Sequence, residues 1–297
     1  MLTAFPDVQA SDEMNTLSYE ALHHLATDMR IDILRMIHAA ASGHPGGSLS
    51  LIDLLTVLFY RHVRRTPDNV LDPDRNRVVL SKGHGVPALY AVLSRLGVIE
   101  QSSLMSLRTL GSPLQGHPHN VSLPAVEAST GSLGQGLSMA QGMAMAAKLD
   151  GRESRVYCII GDGEFQEGQI WEALMSSAKF GLDNLIVILD YNKSQIDGKT
   201  RDVMNIDPVD DKIAAFNWAV ERIDGHDYQQ IDAALTRALQ RNGKPHFIIA
   251  DTIKGKGVSF MEQVVDWHGK APDDAQLAAA ITELQALRAS QAGGNHA

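Results

Sequence analysis

Two oxygen-bearing side chains stand thirty residues apart, each just after a short apolar run: Asp162 in Gly161-Asp162-Gly163 and Asn192 in Asp190-Tyr191-Asn192. A carboxylate and an amide oxygen are hard ligands, suited to Mg²⁺ or Ca²⁺ and unsuited to zinc. Mg²⁺ takes one or two protein oxygens and leaves the rest of its octahedron to phosphate and water. Gly161 and Gly163 leave room for a phosphate to approach the backbone. The pair therefore reads as a metal-bridged diphosphate site. The plainer alternative is a strand-to-helix turn with Asp162 as N-cap, and a bare G-D-G would favour it. G-D-G-x-x-Q-E-G, a helix, and then D-Y-N is far more specific.

The elements that must position these residues are legible on either side. The runs 156–160 and 185–189 are short and rich in β-branched residues, as buried parallel strands are. Between them Ile170, Trp171, Leu174, Ala178 and Phe180 recur at helical spacing, and Gly181 can end that helix. The result is a βαβ unit with both polar clusters at the carboxyl ends of strands, where open α/β sheets bind ligands.

Upstream, residues 19–41 form an amphipathic helix in which His23 and His24 read as surface residues. A Gly-rich break at 42–47 precedes a second helix over 50–62, with Ser50 and Asp53 at capping-box-like spacing. Residues 77–80 form a strand, followed by a helix to about Leu96, and 105–124 is loop. The stretch 130–136 opens a helix of small residues that runs to Lys148. Downstream come a short helix (213–218), a strand (219–223), a helix (228–241), a strand (246–250), a polar loop (251–270) and a last amphipathic helix (276–287). This alternation predicts one α/β domain, a doubly wound, mostly parallel sheet with helices on both faces. Its limits are 16–272, after an arm over 1–15 and before a helix and frayed tail over 273–297.

Composition narrows the function. A chain of 297 residues with 44% apolar content carries a sizeable core. A net charge of −9 without a basic block argues against a nucleic-acid surface. The single cysteine, Cys158, rules out an intrachain disulfide and a Cys-rich metal site and fits a reducing cytoplasm. No run is long enough to span a membrane, and the first residues lack a secretory pattern.

The central stretch resembles the thiamine-diphosphate motif, G-D-G followed by a strand ending in Asn. It is most similar to the amino-terminal, diphosphate-binding domain of transketolases. The resemblance implies thiamine diphosphate and Mg²⁺ (with Ca²⁺ or Mn²⁺ able to substitute), held by Asp162, Asn192 and the backbone carbonyl of Ser194. Other segments carry it further. Ser42-Gly43-His44-Pro45-Gly46, Ser81-Lys82-Gly83-His84-Gly85, Gly116-His117-Pro118 and Trp267-His268-Gly269-Lys270 resemble family motifs. By that resemblance His44 and His268 handle protons around the substrate, His117 lies near its hydroxyls, and His84 and His268 lie by the cofactor. Histidine suits such work because it donates and accepts near neutral pH. A lone loop histidine is usually a surface residue, so only the set is informative.

Thr130-Gly131-Ser132-Leu133-Gly134-Gln135-Gly136 matches the family's T-G-x-L-G-Q-G, which places Gly131, Ser132 and Leu133 against the cofactor. Close helix packing is the other reading of its glycines, and the two are compatible. Glu167 is either an interface residue, as in the family, or a solvated first-turn acid. Lys254, Lys256 and Lys270 are either loop cations near diphosphate or solvated lysines. Asp224-Gly225-His226-Asp227 reads as a structural turn. His117 and His119 form an H-x-H pair, but no matching ligands accompany it.

The resemblance implies an enzyme that transfers a two-carbon ketol unit from a ketose, usually phosphorylated, to an aldose. In transketolases a second α/β domain brings the acid that activates the cofactor, and only about 27 residues follow Lys270 here. A separate C-terminal transketolase subunit with the pyrimidine domain is therefore expected, in an α2β2 heterotetramer, with the helix over 133–147 as a candidate contact surface. Two other readings share the G-D-G…N logic: the α subunit of a 2-oxo-acid dehydrogenase, and a non-catalytic diphosphate-binding module. The first would not need four sugar-facing histidines, and retention of the full set argues against the second.

Overall fold

The computed structural model describes residues 17–292; the expected arm over 1–15 and the end of the tail lie outside them. Five strands form one parallel sheet: β1 (Arg77–Leu80), β2 (Val156–Gly161), β3 (Leu185–Tyr191), β6 (Ala219–Asp224) and β7 (His246–Asp251), in the order β1-β2-β3-β7-β6. A small antiparallel hairpin, β4 (Ser194–Gln195) with β5 (Gly198–Lys199), sits beyond the end of β3. The helices are α1 (Tyr19–Ala39), α2 (Pro45–Leu49), α3 (Ile52–Val57), α4 (Val86–Arg95), α5 (Gln135–Leu149), α6 (Gly168–Lys179), α7 (Thr200–Val203), α8 (Val209–Ala215), α9 (Tyr228–Arg237) and α10 (Asp274–Ala292).

Strands β1, β2, β3 and β7 are buried on both faces while the edge strand β6 is only partly buried, and the strand period of two divides the side chains between two cores. Tyr157 and Ile159 of β2, with Ile186 and Ile188 of β3, face Leu22, Met29, Ile33, Leu55 and Leu89 from α1, α3 and α4. Val156, Cys158 and Ile160, with Val187 and Leu189, face Leu137, Ala140 and Ala144 of α5 and Ile170 and Leu174 of α6. Each such Ile or Leu contributes about 1.5–3 kcal/mol by leaving water. Burial pushes the Cys158 thiol well above its ordinary pKa, so it acts as a small apolar filler. The α/β class and the parallel, helix-covered sheet expected from the sequence are what the structure has.

Several local expectations change. The break at 42–47 holds a helix of its own, α2, which starts on Pro45 at the first helical position, where its missing N–H costs nothing. Ser50 and Asp53 do not cap α3; both are buried and bond to distant residues. A π-helical stretch, Leu58–Val63, continues α3 until Arg64 turns left-handed at φ 52°. α9 ends at Arg237, short of the expected 241. His23 is no free surface residue: its ring lies 3.7 Å from that of Tyr228. α10 covers the expected 276–287 but continues to Ala292, into the expected tail, and packs Ala280 and Leu284 into the core beside α1.

Candidate active site

The carboxyl ends of β1, β2, β3 and β7 lie side by side: Leu80 pairs with Ile159, Gly161 with Asp190, and Tyr191 with Asp251. Each strand releases polar residues at that edge. Asp190 ends in a wholly buried position and gathers them. Lys82 forms an ion pair with it and also donates to the Gly47 carbonyl at 3.1 Å. Ser50 Oγ donates to Asp190 Oδ2 at 2.7 Å, Thr252 Oγ1 donates to Oδ1, and Asn192 Nδ2 donates at 3.3 Å. Burial alone would raise the Asp190 pKa; the Lys82 cation and the hydroxyl donors outweigh it and hold the group below its ordinary value.

Beside this node lie the expected metal ligands. Asp162 is 2% exposed. Its Oδ1 accepts from Gly163 N–H at 2.8 Å, and its Oδ2 accepts from Thr200 Oγ1 at 3.1 Å and Ser194 N–H at 3.2 Å. Asn192 Oδ1 accepts from the same Ser194 N–H, at 3.2 Å. Thus one carboxylate oxygen of Asp162 and the amide oxygen of Asn192 meet at the Ser194 N–H. Burial and the neighbouring Asp190 charge push the Asp162 pKa up to about 6. A divalent cation would relieve that cost, so this oxygen set fits Mg²⁺. Among the described residues, no group of three or more His, Cys, Asp or Glu side chains could hold a metal alone.

The four loop histidines come together. Ring centroids lie 5.3 Å apart for His44 and His84, 5.5 Å for His44 and His268, 5.3 Å for His84 and His268, and 6.2 Å for His44 and His117. Lys254 is buried among them, with Nζ 3.0 Å from His268 Nδ1 and 3.3 Å from Ser194 Oγ. Burial and the Lys82 charge push its pKa down to about 8. His44 is pushed down to about 4 and His268 to about 3, first by burial and then by neighbouring cations. His84 lies well below its ordinary value and His117 is lowered, both chiefly by burial. The lowered values keep these rings neutral near pH 7, beside the cationic Lys82, Lys254 and Arg108, so the cluster carries positive charge and neutral ring donors together.

Two glycines hold the walls together. A Cβ on Gly46 would lie 2.8 Å from the Trp267 carbonyl, so only glycine lets α2 touch the loop that carries His268. Gly131, at φ +136°, would place a Cβ 2.9 Å from the His117 ring.

Other expected residues border this cluster or lie outside it. Gly161 ends β2, and its N–H donates to Glu164 at 3.1 Å. Ser132 and Leu133 are exposed on the loop that Gly131 begins. Glu167 is exposed at the start of α6, away from the buried cluster. Lys256 Nζ lies 3.8 Å from Glu262, and Lys270 sits over the Trp267 ring at 5.1 Å; neither joins Lys254. His119 bonds Ser122 at 2.8 Å.

Sequence reasoning missed Asp190 and Lys82 as the buried ion pair. It also missed Glu164, which accepts from Ser81 Oγ, from Gly134 N–H at 2.9 Å and from Gly161 N–H. Glu164 ties the ends of β1 and β2 to the 130–136 loop. Arg108 was missed too; it donates to Ser42 Oγ at 3.0 Å and lies 3.4 Å from His44 Nδ1. Glu164 directly follows G-D-G and Asp190 begins D-Y-N, and that position was the available signal.

The sequence matches the family described as "Transketolase, thiamine diphosphate binding domain" over residues 22–287. The chain belongs to the transketolase family. As a transketolase-family enzyme subunit it carries the N-terminal, thiamine-diphosphate-binding domain. It is 43% identical over 264 residues to the 6-deoxy-6-sulfo-D-fructose transketolase subunit SqwG of Clostridium sp. (strain MSTE9), covering 89% of this chain and 96% of that one. It is 40% identical to an apulose-4-phosphate transketolase subunit from Actinobacillus succinogenes, covering 91% and 98%. Among solved structures, the transketolase of Campylobacter jejuni superposes with a TM-score of 0.85 at 34% identity, over 93% of this chain and 46% of that one. The chain thus spans about half the length of the solved transketolases it matches.

The depressed histidines carry a stability consequence. In the unfolded chain they bind protons near pH 6.5, but in the fold His44 does so only near 4. As pH falls from 6.5 to 4, the unfolded chain takes up its proton first, so stability is lost in that window. The fall in Tm between pH 7 and pH 5, by scanning calorimetry, is expected to be smaller for His44→Gln than for wild type. An equal fall would show that this ring is not held neutral by the fold.

Proposed function

We propose that this chain is the N-terminal subunit of a thiamine-diphosphate- and Mg²⁺-dependent transketolase that moves a two-carbon ketol unit from an anionic ketose to an aldose. The observation that carries this reading is the convergence of Asp162, Asn192 and Lys254 with four neutral histidine rings at one sheet edge. Asp162 and Asn192 would hold Mg²⁺ with Ser194, and Lys254, His84, Gly131, Ser132 and Leu133 would line the cofactor. Thiamine diphosphate, when bound, supplies the carbanion that takes up the two-carbon unit. The protein's part is to orient and to move protons. His44 and His268 donate to the substrate's developing alkoxide, and His117 bonds its hydroxyls. Such a row of neutral donors suits a polyhydroxylated sugar better than a 2-oxo acid, which favours this reading over the dehydrogenase alternative.

A complementary chain supplies the pyrimidine domain and the activating acid, in a cytoplasmic α2β2 assembly. The two relatives named as subunits support this, since each is covered almost end to end. By their names they act on a sulfonated and a phosphorylated sugar, which supports an anionic donor here. α5 offers Met139, 40% exposed, beside Leu133, 37% exposed, as part of the contact surface. Among the described residues no helix is long and apolar enough to cross a membrane.

The test is reconstitution. Alone, the chain is expected to show no ketol transfer; mixed with its partner, thiamine diphosphate and Mg²⁺, it should become active. In that mixture Asp162→Ala should weaken cofactor affinity at least about tenfold by calorimetry, because the diphosphate loses its metal bridge. Full activity without a partner would overturn the assembly, and unchanged affinity would overturn the metal role.

A further inference from the structure

Lys254 reaches the site from a loop that follows β7, and loops need anchors to hold a cation in one place. The anchor lies on the far side of that loop, in a buried group centred on Asp53 of α3. Arg30 donates to Asp53 Oδ2 at 2.6 Å and Tyr228 donates to Oδ1 at 2.6 Å. His226, in the turn between β6 and α9, contacts the same carboxylate, with Nδ1 2.7 Å from Oδ2. Its other nitrogen is engaged too: Ile253 N–H donates to Nε2 at 2.9 Å. Because a backbone N–H can only donate, Nε2 must accept and Nδ1 must carry the proton. The ring is thus a directed bridge from a buried anion to the residue preceding Lys254. On the other side, Arg30 Nε donates to the Lys256 carbonyl at 3.1 Å. Asp53 therefore tethers the loop both before and after Lys254, through His226 and through Arg30. Gly255 N–H, donating to the Gly46 carbonyl at 3.0 Å, closes the loop onto α2.

We propose that His226 is a positioning residue that holds Lys254 toward His268 and the diphosphate by fixing the Ile253 N–H. Asp224-Gly225-His226-Asp227 then does more than turn the chain. The consequence for diphosphate rests on the functional reading above; the positioning of the loop does not.

The two ring nitrogens can be separated by substitution. His226→Asn keeps a donor near the Nδ1 position for Asp53 but is too short to reach Ile253. His226→Gln reaches Ile253 with an acceptor and leaves Asp53 one donor short. A merely structural role would make ligand affinity follow stability in both variants. Positioning predicts a crossover. His226→Asn should melt near wild type yet bind inorganic diphosphate, with Mg²⁺, about tenfold more weakly by calorimetry. His226→Gln should melt lower yet bind within about threefold of wild type. In a Lys254→Met background the loss caused by His226→Asn should vanish, because the two residues act through one cation. Amides 253–256 should also exchange faster in His226→Asn, with no ligand present. Wild-type affinity and exchange in that variant would overturn the proposal, as would an undiminished loss in the Lys254→Met background. If the wild-type chain binds no diphosphate, the functional reading fails instead. Exchange at Ile253 then decides alone: faster exchange upholds the bridge and unchanged exchange removes it.

Discussion

Replacing His268 by alanine is expected to lower ketol-transfer turnover by about 10²–10⁴-fold in the reconstituted enzyme, and His44→Ala to do the same, while cofactor affinity changes far less. The geometry explains the split. Lys254 Nζ lies 3.0 Å from His268 Nδ1, and an ammonium has only donors, so the ring's proton sits on Nε2. Arg108 faces His44 Nδ1 in the same sense, at a longer 3.4 Å. With pKa values near 3 and 4, neither ring is an imidazolium in the resting site. Each can give one hydrogen bond that strengthens as charge develops on a substrate oxygen, a transition-state contribution and not a ground-state one. Single-turnover kinetics with cofactor at saturation would separate the two effects. Normal turnover in both variants would remove the roles assigned to these rings.

The largest stability effect is expected at Asp190. Asp190→Asn removes the anion and leaves Lys82, 1% exposed, as an uncompensated buried charge. Breaking one side of a buried pair costs about 3–5 kcal/mol, which lowers Tm on the order of 10 °C for a chain of this size. Thermal melts should show it, and Asp190→Asn combined with Lys82→Met should recover much of the loss, since the stranded cation is then gone. A single variant that melts like wild type would mean that the ion pair does not hold the strand ends together.

What could be read in the sequence was local. The strands around Asp162 and Asn192 announced themselves because a strand buried on both faces must be continuously apolar, and both of their polar ends followed. Strand and helix alternation gave the parallel sheet for the same reason. The cluster of His44, His84, His117 and His268 was accessible only through resemblance, because no periodicity relates loops whose histidines follow one another at 40, 33 and 151 residues. Long-range partners were invisible outright: Asp190 finds Lys82 across 108 residues, and Asp53 finds His226 across 173. Ser50 and Asp53 show the error this causes. Their spacing fits a helix cap, but tertiary partners claimed both side chains. Glu167 stands out over Glu164 in the sequence because the resemblance carries a role for it; burial, which no local pattern reveals, makes Glu164 the acid that joins three segments.

β7 is the last strand in the sequence but not the last in the sheet: it lies between β3 and β6. During synthesis the apolar flank of β3 therefore stays open until residue 251 has emerged, and this interval exposes the chain most to mispairing with a neighbour. Thr252 and Lys254 arrive just after that strand, so the bond to Asp190 and the contact with His268 form only as the sheet closes. A ligand that binds only the completed edge would stabilise the closed sheet by mass action. In cells short of it, this chain would be expected to accumulate in aggregates or degradation products before any loss of catalytic capacity per folded molecule.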